Sequence, residues 1–458
     1  MDWIPTISDD AGPVYRQISD AIEADVASGR LRRGQQLPTH RALAQALGID
    51  LTTVTRAYSD ARHRGFIDAR VGQGTFVSET TTRATADVPL AVKIDLSMNV
   101  PPQPVEASLD VRIERALTSI HRHAGISSFL NYQQPGGSEE DQHAVANWLR
   151  ARMPNVASDQ LVIYPGSQSA IFNILLSFVS PGDVVLTEAV TFPGMKSAAE
   201  KLGVRLVGVA MDGQGILPDA LSKACKHHKP KAVYLTPTMH NPTTATMSRE
   251  RRKEIADVLR KAGTFLIEDD AYGALEPSLP LLAEMLPNQT FLTISLSKCI
   301  APALRVSFLL APDTSAAQTL RHSLQATSQM APPLMSALVM EWLRTGTADQ
   351  VIAAIRNEAI GRQQLAARIL KDYSFSAHPK GHHLWLPLPS HWNRLDFVSE
   401  LFRQGLAVVS SEAFAVDQRP PHAVRICLGA ARNRAELGTA LQLLVKTLGM
   451  PSAAKQVV

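Results

Sequence analysis

Cysteine is scarce in this 458-residue chain: Cys225, Cys299 and Cys427 are odd in number and far apart. They show neither metal-ligand spacing nor a disulfide framework, which fits a reducing compartment. Long apolar runs are missing too. The most hydrophobic stretches, such as AIFNILLSFV at 170–179, reach about half the length needed to cross a bilayer. The start of the chain has an acidic residue at Asp2 and no basic–apolar–cleavage pattern. A cytoplasmic protein without a membrane partner is therefore expected. Internal repeats are absent. Net charge is nearly absent as well, at +4, so only its distribution can be informative. What is present is 45% hydrophobic residues against 19% charged ones, enough for two or three globular cores and unlike a disordered chain.

Charge is uneven at the N-terminus. Residues 30–70 hold eight Arg and three Asp, a local balance of +5, while the acids concentrate in the first 25 residues. In VYRQISDAIEADVASG, Val14, Ile18, Ile22 and Val26 recur every four residues and predict a helix ending at Gly29. PTHRALAQALG predicts a short second helix with Thr39 as N-cap and Gly48 at its end. DLTTVTRAYSDARHRG predicts a third, capped by Asp50 and closed by Gly65, with Val54, Ala57, Tyr58 and Ala61 inward. It turns Thr52, Thr53, Thr55 and Arg56 outward. FIDARVGQGTFV then alternates around GQG as a small hairpin, with Arg62, Arg64 and Arg70 extending the basic surface toward it. Two helices joined by a tight turn, the second polar and arginine-bearing, suit a major groove, and the hairpin would serve as a wing.

The sharpest compositional break is SETTTRATADVPLAV, 78–92, rich in Ser, Thr and Ala. Expected divisions are 1–77 as a winged helix-turn-helix, 78–94 as a linker, 95–330 as a large α/β domain and 331–458 as a smaller lobe. Downstream, the β-rich runs QLVIYPG, DVVLTEA, VRLVGVAM, AVYLTP, TFLIEDD and TFLTISLS are separated by amphipathic segments such as MSRERRKEIADVLRKAG. That alternation predicts a largely parallel sheet with helices on both faces.

In SLSKCIAPALRVSF, 295–308, Lys298 stands between hydroxyl residues and an arginine. A lysine becomes a useful nucleophile through a Schiff base with a carbonyl partner, of which pyridoxal phosphate is the commonest in α/β proteins of this size. That cofactor needs a phosphate cup, an acid for its ring nitrogen, a donor for its phenolic oxygen and a stacking surface. YPGSQSAIFNIL places Gly166, Ser167 and Gln168 where a strand turns into a helix. Ser295, Ser297 and Arg305 add hydroxyl and guanidinium donors for a phosphate. LIEDDAYG ends an apolar run in Asp269 and Asp270, followed by Tyr272; TPTMHNPTTA offers Asn241, and EAVTFPG offers Phe192 as a stacking ring. Each residue alone reads as surface, cap or core. Their joint appearance in this order carries the weight.

Two resemblances follow from these motifs. LPTHRALAQALGIDLTTVTRAY…RGFIDARVGQGTFV, within 12–77, resembles the winged helix-turn-helix of GntR-type bacterial regulators. It implies DNA contacts from His40, Arg41, Thr52, Thr53, Arg56 and the wing residue Gln73, with the first helix mainly supporting the other two. Residues 95–447 resemble the class I/II aminotransferases of fold type I through YQQPGGSEEDQHAVANWL, PGSQSAIFNIL, TPTMHNPTTATMS, EDDAYG, SLSKCIAPALRVSF and VRICLGA. This implies Lys298 as the aldimine lysine, Asp269 as partner of the pyridinium and Asp270 as the neighbouring acid. Ser167, Gln168, Ser295 and Arg305 would hold the phosphate. Phe192 would stack, Asn241 and Tyr272 would meet the phenolic oxygen, and Arg425 would grip a substrate α-carboxylate. HNPTT departs from the family in the residue before Asn241 and in Thr244, where a glycine is usual. SKCIAP puts Cys299 beside the lysine, where a small hydroxyl residue is usual; it reads as a packing residue.

The two halves in this order resemble the MocR subfamily of GntR-type regulators. That resemblance implies a head-to-tail homodimer that binds promoter DNA and senses an amine, an amino acid or a B6 vitamer through aldimine exchange at Lys298. Alternatives are a working aminotransferase with a fused reader and a DNA-binding protein whose large domain is a relic without cofactor. Whether the chain is an enzyme is open at this stage.

Overall fold

The computed structural model describes residues 3–7, 13–32, 34–63, 66–70, 74–77, 93–417 and 419–451. The expected linker up to Val92 and the wing residue Gln73 lie outside the described residues. The chain divides into two compact units, Met1–Ala91 and Val92–Val458.

The first unit is built from α1 (Val14–Ala27), α2 (His40–Leu47), α3 (Leu51–His63) and an antiparallel hairpin of β1 (Ile67–Arg70) and β2 (Gly74–Val77). Its helix ends follow local chemistry. Thr39 Oγ1 accepts from the Ala42 backbone N–H, and Gly48 closes α2 in the left-handed conformation at φ 65°. Asp50 Oδ1 accepts from the Thr52 N–H at 2.7 Å, starting α3. Ile18, Ile22, Leu43, Val54, Ala57, Tyr58 and Ala61 are buried in one cluster. The spacing of the stripe therefore became the core that joins the three helices.

The second unit carries a seven-stranded sheet. Its strands are β4 (Leu161–Tyr164), β5 (Val184–Glu188), β6 (Arg205–Val209), β9 (Ala232–Leu235), β10 (Phe265–Asp270), β11 (Thr290–Ser295) and β12 (Ser307–Leu310), with a small hairpin of β7 (Met211–Asp212) and β8 (Gly215–Ile216) beside it. The order is β4-β12-β11-β10-β9-β5-β6, and only β12 runs against its neighbours. The expectation of a largely parallel sheet thus meets one antiparallel strand. Residues 307–310 form it because the chain returns directly from the lysine loop. Helices α6 (Ser167–Phe178), α7 (Pro193–Lys201) and α11 (Thr314–Ser328) bury one face of the sheet, while α4 (Leu109–His123), α5 (Glu139–Leu149) and α12 (Pro333–Arg344) bury residues with strand residues of the other. All four residues of β4 and of β9 are buried, as expected of strands covered on both faces.

The smaller lobe has β13 (Ser376–Ala377), β14 (His383–Pro387), β16 (Val409–Ser410) and β17 (Ala423–Cys427) in the order β13-β14-β17-β16, covered by α14 (Arg394–Arg403) and α15 (Arg434–Leu448). The lobes are not consecutive pieces of chain. β3 (Ile94–Asp95) pairs with β15 (Leu406–Ala407), and Leu96 is buried among small-lobe residues. Conversely, α12 and the first half of α13 (Thr347–Ile369) bury into the cluster of the large lobe. This threading carries Asn99 from the small lobe back toward the sheet.

Candidate functional site

The register of the sheet gathers the site. Ser295 pairs with Ser307, and Ser307 pairs with Tyr164, so one row holds the end of β4, the start of β12 and the end of β11. Pro165–Gly166, Arg305–Val306 and Leu296–Lys298 therefore leave the sheet side by side. Carboxyl ends of strands in α/β sheets are where ligands bind, because the following loops and helix N-termini converge there.

The phosphate candidates meet at the first turn of α6. Gly166 has φ 93°, and a Cβ there would lie 2.4 Å from Arg305 Nη2. Arg305 itself, at φ 51°, donates from Nη2 to the Pro165 carbonyl at 2.9 Å. The glycine thus leaves room for a guanidinium beside a helix N-terminus, two features suited to a phosphate. Gln168 Nε2 donates to the Gly194 carbonyl at 2.9 Å, and a Cβ at Gly194 would come within 2.4 Å of the Phe192 ring. Gln168 and the stacking ring are therefore held together. Ser167 is the first residue of α6, and Ser295 Oγ accepts from the Ser297 N–H at 3.2 Å.

Lys298 Nζ donates to the Asn99 carbonyl oxygen, and burial holds its pKa below the ordinary lysine value. Such a lysine is easier to deprotonate than one in water. Asp269 is buried at the end of β10; burial raises its pKa to about 6, opposed by the Tyr234 hydroxyl, which donates to Oδ2 at 2.6 Å. Thr293 adds a longer hydrogen bond to Oδ1. A carboxyl held this way is favoured in its charged form by a cation beside it, such as a protonated ring nitrogen.

Asp270 does something else. It takes a paired hydrogen bond from Arg152, 2.5 Å from Nη1 and 3.2 Å from Nη2, so the neighbouring acid is committed to a buried ion pair. Asn241 and Arg425 meet directly: Arg425 Nη1 donates to Asn241 Oδ1 at 2.8 Å, leaving the amide N–H₂ of Asn241 available. Arg425 also donates to the Ser97 carbonyl at 2.6 Å and lies over the Phe414 ring at 4.8 Å. Those contacts hold the guanidinium still, a condition for gripping a carboxylate. Tyr272 is buried, and its hydroxyl accepts from Asn99 Nδ2 at 2.7 Å.

The family departures have consequences. Thr244, where a glycine is usual, keeps φ 64°, a conformation that strains a β-branched residue. His240 is buried, with its Nδ1 2.8 Å from Thr243 Oγ1 and Nε2 3.9 Å from Glu188 Oε2. Cys299 is buried in the core of the large lobe, where burial pushes its thiol up to about 12. Sequence reasoning missed Asn99, Tyr234, Arg152, His382 and His383. Each touches a motif residue from far along the chain, and none carries a local signal.

In the reader, Arg41, Thr52 and Arg56 are exposed, while His40 and Thr53 are half-buried. The His40 ring meets Tyr58 edge-on at 4.8 Å, and its Nδ1 is 3.4 Å from Thr55 Oγ1. The Arg56 guanidinium sits over the Tyr15 ring at 4.0 Å, so α1 supports the outer face of α3. The Thr52 hydroxyl donates to Asp50 at 2.5 Å, which leaves its lone pairs and methyl group for a partner.

Among known proteins, residues 91–444 match the family of class I and II aminotransferases, and residues 14–77 match the bacterial regulatory proteins of the gntR family. The chain is 29% identical to the HTH-type transcriptional regulator YdeF of Bacillus subtilis, over 98% of this chain and 97% of that one. It is also 29% identical to the vitamin B6 salvage pathway transcriptional repressor PtsJ of Salmonella typhimurium, covering 93% and 97%. Among solved structures, the α-aminoadipate aminotransferase LysN of Thermus thermophilus, complexed with N-(5'-phosphopyridoxyl)-L-leucine, is similar with a TM-score of 0.71 at 25% identity, over 80% of this chain and 95% of that one. No helix among the described residues is long and apolar enough to cross a membrane. With a reader whose polar face is open and a half-buried lysine site of aminotransferase type, the chain is a transcriptional regulator that belongs to the class I and II aminotransferase family and carries a gntR-family reader, the domain arrangement of the MocR subfamily.

Proposed function

We propose that this regulator uses pyridoxal phosphate at Lys298 to sense an amino acid, an amine or a B6 vitamer, and that occupancy of the site alters how the reader binds promoter DNA. The residues fit the cofactor on physical grounds: the Gly166–Arg305 pair for the phosphate, the buried Asp269 for the ring nitrogen and Phe192 for the ring face. Bound there, the cofactor supplies an aldehyde carbon that exchanges one primary amine for another. Lys298 presents the amine that is exchanged. Arg425, steadied by Asn241 and Ser97, takes the carboxylate of an amino-acid effector. The names of similar proteins support the ligand class, since one represses vitamin B6 salvage and another was solved with a phosphopyridoxyl amino acid. We assign the working form to a cytoplasmic head-to-tail homodimer, and residues 1–77 to the reader.

The observation that carries this reading is the half-buried Lys298, whose amine donates to the Asn99 carbonyl, within one site with Asp269 and a pre-positioned Arg425, in a chain that also holds a DNA reader. Borohydride reduction of the loaded protein followed by peptide mapping tests it. The expected label is on Lys298, and prior addition of the effector amine protects that residue. Loaded protein with no label at Lys298 contradicts the reading.

A second reading, a working aminotransferase with a fused reader, is favoured by the same intact Lys298, Asp269 and Arg425. Steady turnover of an amino donor and a keto acid by the full chain would select it; a single half-reaction that stops would select the sensor.

A further inference from the structure

Tyr272 and its neighbours determine where one proton points. His383, on β14, is buried, and its Nε2 lies 3.2 Å from the His240 carbonyl oxygen. A carbonyl only accepts, so the ring proton sits on Nε2. Burial, and next the Arg425 charge, hold the pKa of this ring well below the ordinary histidine value, so Nδ1 is a bare acceptor. That acceptor is 3.3 Å from Asn99 Nδ2. The Asn99 amide must therefore turn its N–H₂ toward His383, and the other hydrogen of the same group goes to the Tyr272 oxygen at 2.7 Å.

Two consequences follow. The Tyr272 oxygen is an acceptor toward Asn99, so its own O–H is free to donate elsewhere; among the described residues no protein acceptor takes it. The Asn99 Oδ1 is left buried without a partner. Leaving such an acceptor unsatisfied is costly, yet turning the amide over would set its oxygen against the bare Nδ1 of His383. The orientation is thus held by the histidine, in opposition to the satisfaction of Asn99 itself.

We infer that Asn99 and His383 are positioning residues that lock Tyr272 as a hydrogen-bond donor to the phenolic oxygen of the bound cofactor. The inference rests on the reading that pyridoxal phosphate is held at Lys298. Tyr272 remains a phenol throughout, because burial raises its pKa. The groups whose charge acts on it are Arg425, Cys427, Asp269 and Cys299, none of which lies in the chain from His240 through His383 to Asn99. Neither Asn99 nor His383 needs to touch the cofactor for this role.

The test is the pH midpoint of the visible absorbance of the Lys298–cofactor linkage in the loaded full chain. A donor to the phenolic oxygen favours its negative form and lowers that midpoint. Removing it through Tyr272→Phe should raise the midpoint by about 1–2 pH units, the size of one hydrogen bond to a charged group. Asn99→Asp, which replaces the donor by an acceptor, and His383→Gln, which keeps a donor for His240 but no acceptor for Asn99, should both approach that shift. His383→Asn restores an acceptor in the Nδ1 position and should return the midpoint to the parent value. Equal shifts in His383→Asn and His383→Gln would mean packing alone and overturn the proposal, as would an unmoved midpoint in Asn99→Asp when Tyr272→Phe moves it.

A second measurement needs neither cofactor nor a stable variant. Nitrogen-15 spectra of the histidine-labelled apo protein should show His383 as the neutral Nε2–H tautomer; an Nδ1–H tautomer or an imidazolium overturns the relay. If the parent protein binds no cofactor while His383 shows the expected tautomer, the reading of the Lys298 site has failed and the relay has not.

Discussion

The two units of this chain solve different problems with polar residues. In the reader, Thr52 and Thr55 are exposed and held by near neighbours: Thr52 by Asp50 two residues away, Thr55 by the carbonyl of Leu51 four residues away. In the second unit most of the polar groups named here are buried or half-buried, and their partners are remote. Lys298 meets Asn99 across 199 positions, Asn99 meets His383 across 284, and Arg425 meets Ser97 across 328. A surface that must match a charged polymer can be assembled locally, because water satisfies whatever is unused. A site that must hold one small charged molecule out of water needs a closed network, and only the tertiary fold can supply it. The first arrangement tolerates loss of a member; the second does not.

The largest expected effect falls on the closed network. Lys298→Ala should abolish the visible absorbance of the loaded protein while leaving salt-dependent DNA binding by the reader intact, a contrast that absorbance and a footprint record on one sample. Next, Arg425→Ala should weaken an amino-acid effector by about 100-fold, while a simple amine without a carboxylate loses little, as titration calorimetry would show. That pair of ligands sharpens the assignment, because a general collapse of the site would weaken both. On the open surface, Arg56→Ala should weaken operator binding by roughly tenfold. If Arg56 contacts phosphate, the salt slope falls by about one as well; if it reads a base, discrimination between operators falls instead.

A pH effect follows from Asp269. Its carboxyl is raised by burial to about 6, so the empty site favours the protonated form. That contribution to stability is complete below the unfolded value of 3.8 and is lost as pH rises through about 6. A cation from the cofactor beside Asp269 removes the penalty of ionisation. The gap in Tm between loaded and empty protein should therefore widen from about pH 4 to about pH 6 and level off above it, and Asp269→Asn should flatten it. The smallest effect is Cys299→Ser: a buried thiol that donates to the Ala271 carbonyl is replaced by a hydroxyl able to do the same, and stability should shift by less than about 1 kcal/mol.

The same contrast explains what was legible in the sequence. Caps, stripes and the hairpin of the reader are local chemistry, and Thr39, Gly48, Asp50, Ile18 and Val54 stand where their spacing puts them. In the second unit, Gly166, Asp269 and Lys298 lie at or just past strand ends and Arg425 lies within β17, and each could be named from its own segment. Their partners could not. Asn99 lies in a stretch with no periodicity, and its role exists only because β3 joins the small lobe while the residues after it return toward the sheet. Nor could the pairing of Asp270 with Arg152 be read, since an acid beside an acid does not declare which of the two faces the site. The antiparallel β12 was hidden because its short apolar run follows the arginine of the lysine motif without a break.

The coupling of the two units is tested most directly by measuring DNA affinity and Lys298 absorbance on the same sample during titration with an effector amine. A shift in DNA affinity whose midpoint coincides with that of the absorbance change, and which disappears in Lys298→Ala, is the predicted result. Saturation of the lysine site with no change in DNA affinity, or a change that persists in Lys298→Ala, would contradict it.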